Sequence, residues 1–193
     1  MLHPALHEIR GRLAAERPGE AAVRAWAAVA VLLRVRGDEP ELLLIRRAER
    51  EGDPWSGHMA LPGGRRDPGD AEAAATAVRE THEELGIDLA AGGVPLGALD
   101  PVEPRGSSSG LLVAPFVWAV PPATPLRPNA EVALAFWVPL AELASRGAAA
   151  EYLHLASGRR FPALACGGQL VWGMTHRVVT ELLRIWTAPQ PRT

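Results

Sequence analysis

Apolar residues recur at helical spacing at the start of the chain, at Leu2, Leu6, Ile9 and Leu13. Pro18-Gly19 ends the run, so residues 2–17 are predicted to form a helix. The period then changes to two. Val29, Val31, Leu33 and Val35 alternate within residues 23–36, which predicts a long strand; GDEP (37–40) is a turn and ELLLIRR (41–47) the return strand of a hairpin. A polar loop (48–57) leads to a short strand, HMAL, and to Pro62-Gly63-Gly64. Asp70 is a fitting N-cap for the helix-forming run AEAAATAVRETHEEL, which Gly86 stops. Strands are expected near 94–99, 111–120 and 132–138, a short helix at 139–145, and a hairpin about Ser157-Gly158. WGMTHRVVTELLRIW places Val178, Leu182 and Ile185 on one side of a closing helix, and a loose tail follows. The order α-β-β-β-α-β-β-β-α-β-β-α predicts one α/β domain over 1–193, a mixed sheet with helices packed on it.

Composition narrows the class. The chain has 193 residues with 48% apolar content, enough for one sizeable core. A net charge of −2 offers no polybasic surface for nucleic acid or an anionic membrane. All 20 basic residues are arginine, as a GC-rich genome would produce, so no lysine is available for Schiff-base or general-base chemistry. The single cysteine, Cys166, excludes disulfides and Cys-based zinc sites within the chain and reads as a small buried hydrophobe. The apolar stretch from Ala25 to Leu33 is too short to span a bilayer, and the N-terminus does not read as a signal peptide, so a cytoplasmic protein is expected.

The chemistry concentrates in GGRRDPGDAEAAATAVRETHEELGI (63–87). Residues three and four apart share a helix face, so Glu80, Glu83 and Glu84 are expected to project together, opposite Ala75, Val78, His82 and Leu85. Like charges at that spacing repel, and a divalent cation turns the repulsion into attraction; carboxylates are the oxygen ligands that Mg²⁺ and Mn²⁺ prefer. Arg79 can hold one carboxylate in place. The preceding glycines let backbone approach closely and offer a free carbonyl to the same ion. Such an arrangement suits a phosphorylated substrate, because cations neutralise phosphate oxygens and activate an attacking water.

This stretch resembles the Nudix box: Gly, five residues, Glu, seven residues, Arg-Glu-apolar-x-Glu-Glu-x-Gly-apolar. RETHEELGI fills the second half, with Thr81 where an apolar residue is usual. In the first half Asp70 replaces the first Glu, and one extra residue separates it from Arg79. NAEVALAFWVPLAEL (129–143) is similar to another recurrent element of the family, and the likeness extends over roughly 25–186. The resemblance implies a single Nudix domain of α/β/α sandwich type with a mixed sheet, its helices at 2–17 and 173–186 flanking the box. It implies Mg²⁺- or Mn²⁺-dependent hydrolysis of a nucleoside diphosphate derivative. Glu80 and Glu84 would then be principal ligands, Glu83 would assist, Gly64 would offer its carbonyl, and Arg79 would orient the cluster. LLLIRRAEREGDPWSGHMALPGG (42–64) and WGMTHRVVTELL (172–183) look like elements of coenzyme A pyrophosphatases, with Leu61 for Phe and Asp53 where an Arg is expected; the nearest Arg is Arg50. ADP-ribose, NDP-sugars and dinucleoside polyphosphates are the alternative substrates, and a non-catalytic nucleotide-sensing module is the alternative class.

Other candidates follow from position. Arg46 and Arg47 end a strand before the cleft, where their forks can take phosphate bidentately or lie solvated. Trp55 either stacks on a base or packs under its loop, and His58 is either a substrate contact or structural. The Nudix resemblance implies a further glutamate beyond the box, for which Glu131 is favoured; Glu103, with Arg105 beside it, is either an additional base or ligand or a surface loop, and the surface loop is favoured. Trp137, Trp172 and Trp186 are expected in the core, and His176 and Arg177 at an exposed helix start. Cys166 is poorly placed for the isomerase that shares this fold. The family is often dimeric, so a homodimer is possible.

Overall fold

The structure, a computed structural model, describes residues 2–15, 25–53, 55–103, 112–145, 148–155 and 157–188. Its elements in chain order are α1 (Pro4–Ala15), β1 (Ala27–Arg36), β2 (Glu39–Arg47), β3 (Met59–Ala60), β4 (Gly63–Arg65), α2 (Ala73–Leu85), α3 (Leu89–Gly92), β5 (Val94–Ala98), β6 (Val113–Ala119), β7 (Val132–Pro139), α4 (Leu140–Ala144), β8 (Ala149–His154), β9 (Arg159–Cys166), β10 (Gln169–Trp172) and α5 (Gly173–Thr187). Residues 16–17, 23–24, 111 and 189–193 of the expected elements lie outside the described residues, as does Arg105.

Strand alternation builds the three layers. Val31, Leu33, Leu42 and Leu44 enter one core with Ile9 and Leu13 of α1 and Val178, Leu182 and Ile185 of α5. The intervening Ala28, Ala30, Leu32, Leu43 and Ile45 face the other side, against Ala73, Ala77 and Leu85 of α2. The small alanines let α2 lie close to β1. This is the expected α/β/α sandwich, and its sheet is mixed: β1 runs parallel to β6, whereas β2, β3, β4, β5 and β7 join through antiparallel pairings.

One feature of the sheet positions the site. β1 and β2 pair only between 33–36 and 39–42, then diverge. The 59–65 segment fills the wedge, with β3 on β2 and β4 on β1, and Ala30 donates its N–H to the Pro62 carbonyl at 2.7 Å. The box loop is thereby fixed to the middle of the sheet.

Four features differ from the sequence expectation. β8, β9 and β10 form a second sheet of their own. β10 is QLVW, too short to stand apart from the helical pattern that follows it, and β4 is Gly-Gly-Arg, with no apolar alternation to read. α3 is a four-residue turn opened by Asp88, whose side chain accepts from the Ala91 N–H. Among the described residues no helix is long and apolar enough to cross a membrane.

Candidate active site

The box helix ends as predicted and begins differently. Gly86 takes the left-handed conformation (φ 67°), and its N–H donates to the His82 carbonyl. At the other end the cap position belongs to Glu72, without a side-chain cap. Asp70 instead accepts from Arg79 Nε (3.2 Å) and Nη2 (3.1 Å), from Thr76 Oγ1 (2.9 Å) and from the Asp67 N–H (2.9 Å). The Arg79 bonds above all hold the Asp70 carboxyl down at about 2. Charge-assisted bonds to an arginine outcompete a neutral helix cap.

The helix is also rotated from the expected setting. Its buried side carries Ala73, Thr76, Ala77, Thr81, Glu84 and Leu85, while His82 is exposed and Ala75 and Val78 only half-buried. Val78 packs against the edge of the core and Leu85 within it, whereas Ala75 is only half-buried and His82 faces away. Thr81 is fully buried, and its hydroxyl has no hydrogen-bond partner among the described residues.

Arg79 organises the acids around it. Nη1 donates to Glu80 Oε1 and Glu83 Oε2, each at 3.1 Å, and Nη2 also reaches the Arg65 carbonyl at 3.2 Å. Asp70, first, and Glu80 raise the guanidinium pKa above its ordinary value. Glu84 lies apart from this group. It is 3% exposed and accepts the Gly63 N–H at 2.9 Å. Burial pushes its pKa up to about 7; the Gly63 bond and Arg47 oppose this, and Glu80 and Glu131 add to it. Burial likewise raises Glu80, against the pull of Arg79. The three glutamates thus divide, Glu83 at the surface and Glu84 inside, and among the described residues no three acid, His or Cys side chains form a ready metal cage.

The donors nevertheless fit a hard divalent cation. A Cβ built on Gly64 would lie 2.3 Å from Glu80 Oε1, so only a glycine lets this backbone sit against that carboxylate. Glu84 is a carboxylate kept in a buried position where ionisation is costly unless positive charge arrives. Carboxylate and carbonyl oxygens are the ligands such cations take.

The other predicted residues surround this group. Arg47 Nη2 bonds Asp53 Oδ2 at 2.8 Å, and Asp53 Oδ1 accepts the Trp55 N–H at 3.0 Å. Burial acts to raise Asp53, but these bonds and the arginine charges prevail and lower it. Arg50 Nη2 bonds Glu131 Oε1 at 3.0 Å, and Ala48 donates to the Glu131 carbonyl, so Glu131 borders the same loop. The Nε atoms of Arg46 and Arg47 are buried without a hydrogen-bond partner among the described residues. Trp55 is 38% exposed. His58 packs edge-on to Trp172 at 4.8 Å, and its pKa is lowered, by burial first and then by His154.

Some expectations need correction. Trp172 is half-buried in an aromatic group rather than in the core; Trp137 packs against the core, half-buried, with the Arg34 guanidinium 4.3 Å from its ring centre. Arg177 is tied to the Glu103 carbonyl at 2.7 Å. Trp186 packs against the core, and Cys166 is buried, its thiol pushed up to about 11. Tyr152, His154 and Phe161, which join Trp172, had no local signal beyond their aromatic character.

Comparison with known proteins places this arrangement. The NUDIX domain model matches residues 23–157. The chain is 37% identical over 187 residues to human mitochondrial coenzyme A diphosphatase NUDT8, covering 91% of this chain and 74% of that one. It is 34% identical to the Nudix hydrolase NudL of Yersinia enterocolitica, covering 90% and 88%. A protein of Schizosaccharomyces pombe, C14C4.10c, is 46% identical over 109 residues, 54% of this chain, and the chain spans only 33% of its length. A solved MutT/nudix family protein from Enterococcus faecalis matches at a TM-score of 0.53 with 19% identity, over 81% of this chain and 59% of that one, a likeness of fold.

Proposed function

The chain belongs to the Nudix family of pyrophosphohydrolases, and from that premise we propose that it is a single-domain, Mg²⁺- or Mn²⁺-dependent hydrolase of the diphosphate linkage in coenzyme A. The observation that carries the metal-dependent reading is the contact of Gly64 with Glu80 beside the buried Glu84. Glu80, Glu84 and the Gly64 carbonyl would hold the cation, with Glu83 assisting. When bound, it neutralises phosphate oxygens and lowers the pKa of water. Arg79 keeps Glu80 and Glu83 in place against their mutual repulsion. Water attacks one phosphorus, the bridging P–O bond breaks, and the water proton passes to a carboxylate; Glu83 and Glu131 are the partly exposed acids available for it. Arg46 and Arg47 would steady the diphosphate, with Trp55 and His58 bordering the substrate. Coenzyme A would give 3′,5′-ADP and 4′-phosphopantetheine.

The substrate assignment draws on the similarity to a protein named as a coenzyme A diphosphatase and on the 42–64 segment. One observation favours a second reading. Asp53 stands where an arginine is expected and occupies Arg47, which reduces the positive charge offered to a phosphate. ADP-ribose, an NDP-sugar or a dinucleoside polyphosphate is then the substrate. Incubation with Mg²⁺ or Mn²⁺ and a panel of these compounds, with products identified by mass spectrometry, tests both. Preferred release of 4′-phosphopantetheine is expected. Preferred turnover of another compound removes the coenzyme A assignment, and no turnover of any removes the enzymatic one.

A further inference from the structure

The second sheet is divided along its length as well as between its faces: toward the hairpin end Glu151, Leu153, Arg160 and Pro162 are exposed on one face, and Ala163 is buried on the other. Leu164, Cys166 and Val171 pack inward. On the opposite face the register sets Tyr152 beside Phe161, His154 beside Arg159, and Trp172 beside Ala163. Tyr152 and Trp172 stack, with centroids 4.0 Å apart and planes 13° from parallel. Phe161 and His154 lie 5.5 Å and 5.8 Å from Trp172, and His58 meets its edge. All five rings are only half-buried, so each keeps part of its surface open to solvent. Rings in mutual contact hold a small sheet in place, and where they stay half open they also present π-faces that a nucleobase can take.

Two observations say what fits. The first is continuity with the acidic cleft. Arg47, whose charge acts on Glu84, donates its N–H to the His58 carbonyl at 3.0 Å, and the His58 ring lies against Trp172. Paired strands stand about 4.8 Å apart, so the aromatic group begins at His58, one strand over from Arg47. The second is charge. Arg159 is exposed at the far end of the face, its guanidinium 5.6 Å from the Phe161 ring centre, with no ion pair among the described residues. Its neighbour Arg160 is paired with Glu151.

We propose that this aromatic face is the nucleoside subsite of the cleft: a purine extends the Tyr152–Trp172 stack on the face of Tyr152 that Trp172 leaves free, with Phe161 beside it, and Arg159 takes a second phosphate carried on the sugar. The assignment rests on the hydrolase reading above and sharpens it to adenosine bearing a 3′-phosphate.

The test uses 3′,5′-ADP, which has no diphosphate linkage and reports binding without turnover. The full chain is titrated in Mg²⁺ buffer with 3′,5′-ADP, AMP and ribose 5-phosphate by calorimetry, and saturation-transfer NMR reads contact with the adenine protons. Strong transfer to the adenine is expected. Tyr152→Ala weakens 3′,5′-ADP about tenfold or more, as stacking losses do, while Tyr152→Phe keeps the affinity. Arg159→Gln lowers 3′,5′-ADP to the affinity of AMP. Phe161→Leu and Arg159→Gln carry the test if Tyr152→Ala does not fold by circular dichroism. Absence of adenine transfer overturns the proposal, as do variants that bind like the parent or a Tyr152→Ala loss that is equal for ribose 5-phosphate. Tight, Tyr152-dependent binding by a protein that hydrolyses nothing overturns the hydrolase reading alone. Coenzyme A hydrolysis with KM unchanged in these variants overturns the subsite alone.

Discussion

Gly64→Ala separates the chemistry of the box loop from its structure. The added Cβ would fall 2.3 Å from Glu80 Oε1 and 2.5 Å from its Cδ. An ordinary contact needs about 3.5 Å, so the carboxylate must retreat by roughly 1 Å. The obstructing atoms are the far end of a flexible side chain, and Gly64 has no left-handed backbone to strain, so folding loses little. Misplacing a group at the reacting centre by about 1 Å lowers turnover on the order of 100-fold. Initial rates on the preferred substrate at saturating Mg²⁺, with thermal unfolding of the same sample, are the assay. The expected result is a turnover loss of that order with a midpoint near the parent's. Gly63→Ala is the contrast: its φ is +148°, and its Cβ would meet the Ala28 carbonyl at 2.3 Å and Val29 Cα at 2.6 Å, both backbone atoms of the central sheet. That variant should lose stability before activity can be assigned. Parent-like turnover in Gly64→Ala would refute the claim that this carboxylate must sit against the loop backbone.

Glu84→Gln should lower turnover by more than about 100-fold with circular dichroism unchanged; parent-like rates would remove Glu84 from the metal assignment. Asp70, held at about 2 against an ordinary 3.8, contributes stability that is fully present above pH 3.8 and lost as pH falls toward 2. Acid titration of Asp70→Asn should therefore lack part of that fall, and an identical acid profile would contradict the Arg79 pairing. Arg12 donates to the Ile185 and Trp186 carbonyls at the end of α5, so Arg12→Ala should cost about 1–2 kcal/mol in urea unfolding; an unchanged midpoint contradicts it. Thr81→Val replaces a buried hydroxyl with no partner among the described residues by a methyl group, and should raise stability by about 1 kcal/mol, whereas a lowered urea midpoint would mean that the hydroxyl is satisfied.

Local signals carried much of this molecule and failed where a distant partner decided the outcome. The alternation in β1, the return strand β2, the Gly86 stop and the Val178–Leu182–Ile185 stripe each depend on near neighbours, and each holds. Asp70 reads as a helix cap because capping is a local preference, but Arg79, nine residues on, offers stronger bonds. The helix rotation is hidden by expecting three charges to project together away from the core, when Glu84 is buried and accepts the N–H of Gly63, 21 residues away. The aromatic face was invisible because it assembles His58, Tyr152, Phe161 and Trp172 from separate strands across a sheet boundary.

The charge arrangement explains why these departures belong together. Arg47 is matched by Asp53, and Arg50 by Glu131, so the flanking loop adds little net charge to the cleft. Around the helix, by contrast, Asp70, Glu80 and Glu83 share the single guanidinium of Arg79, while Glu84 stands buried without a cation in direct contact among the described residues. The cluster therefore carries an excess of negative charge, and a diphosphate brought beside it would add more. Two anionic groups occupy one site only if cations lie between them. Asp70 makes the arrangement tolerable in the resting protein by fixing Arg79 at the edge of the cluster, so that Glu80 and Glu83 are restrained without Glu84 being neutralised. The shorter, shifted acid of the box thus orders the site through Arg79, and the buried Glu84 keeps a carboxyl whose ionisation is costly until positive charge comes near.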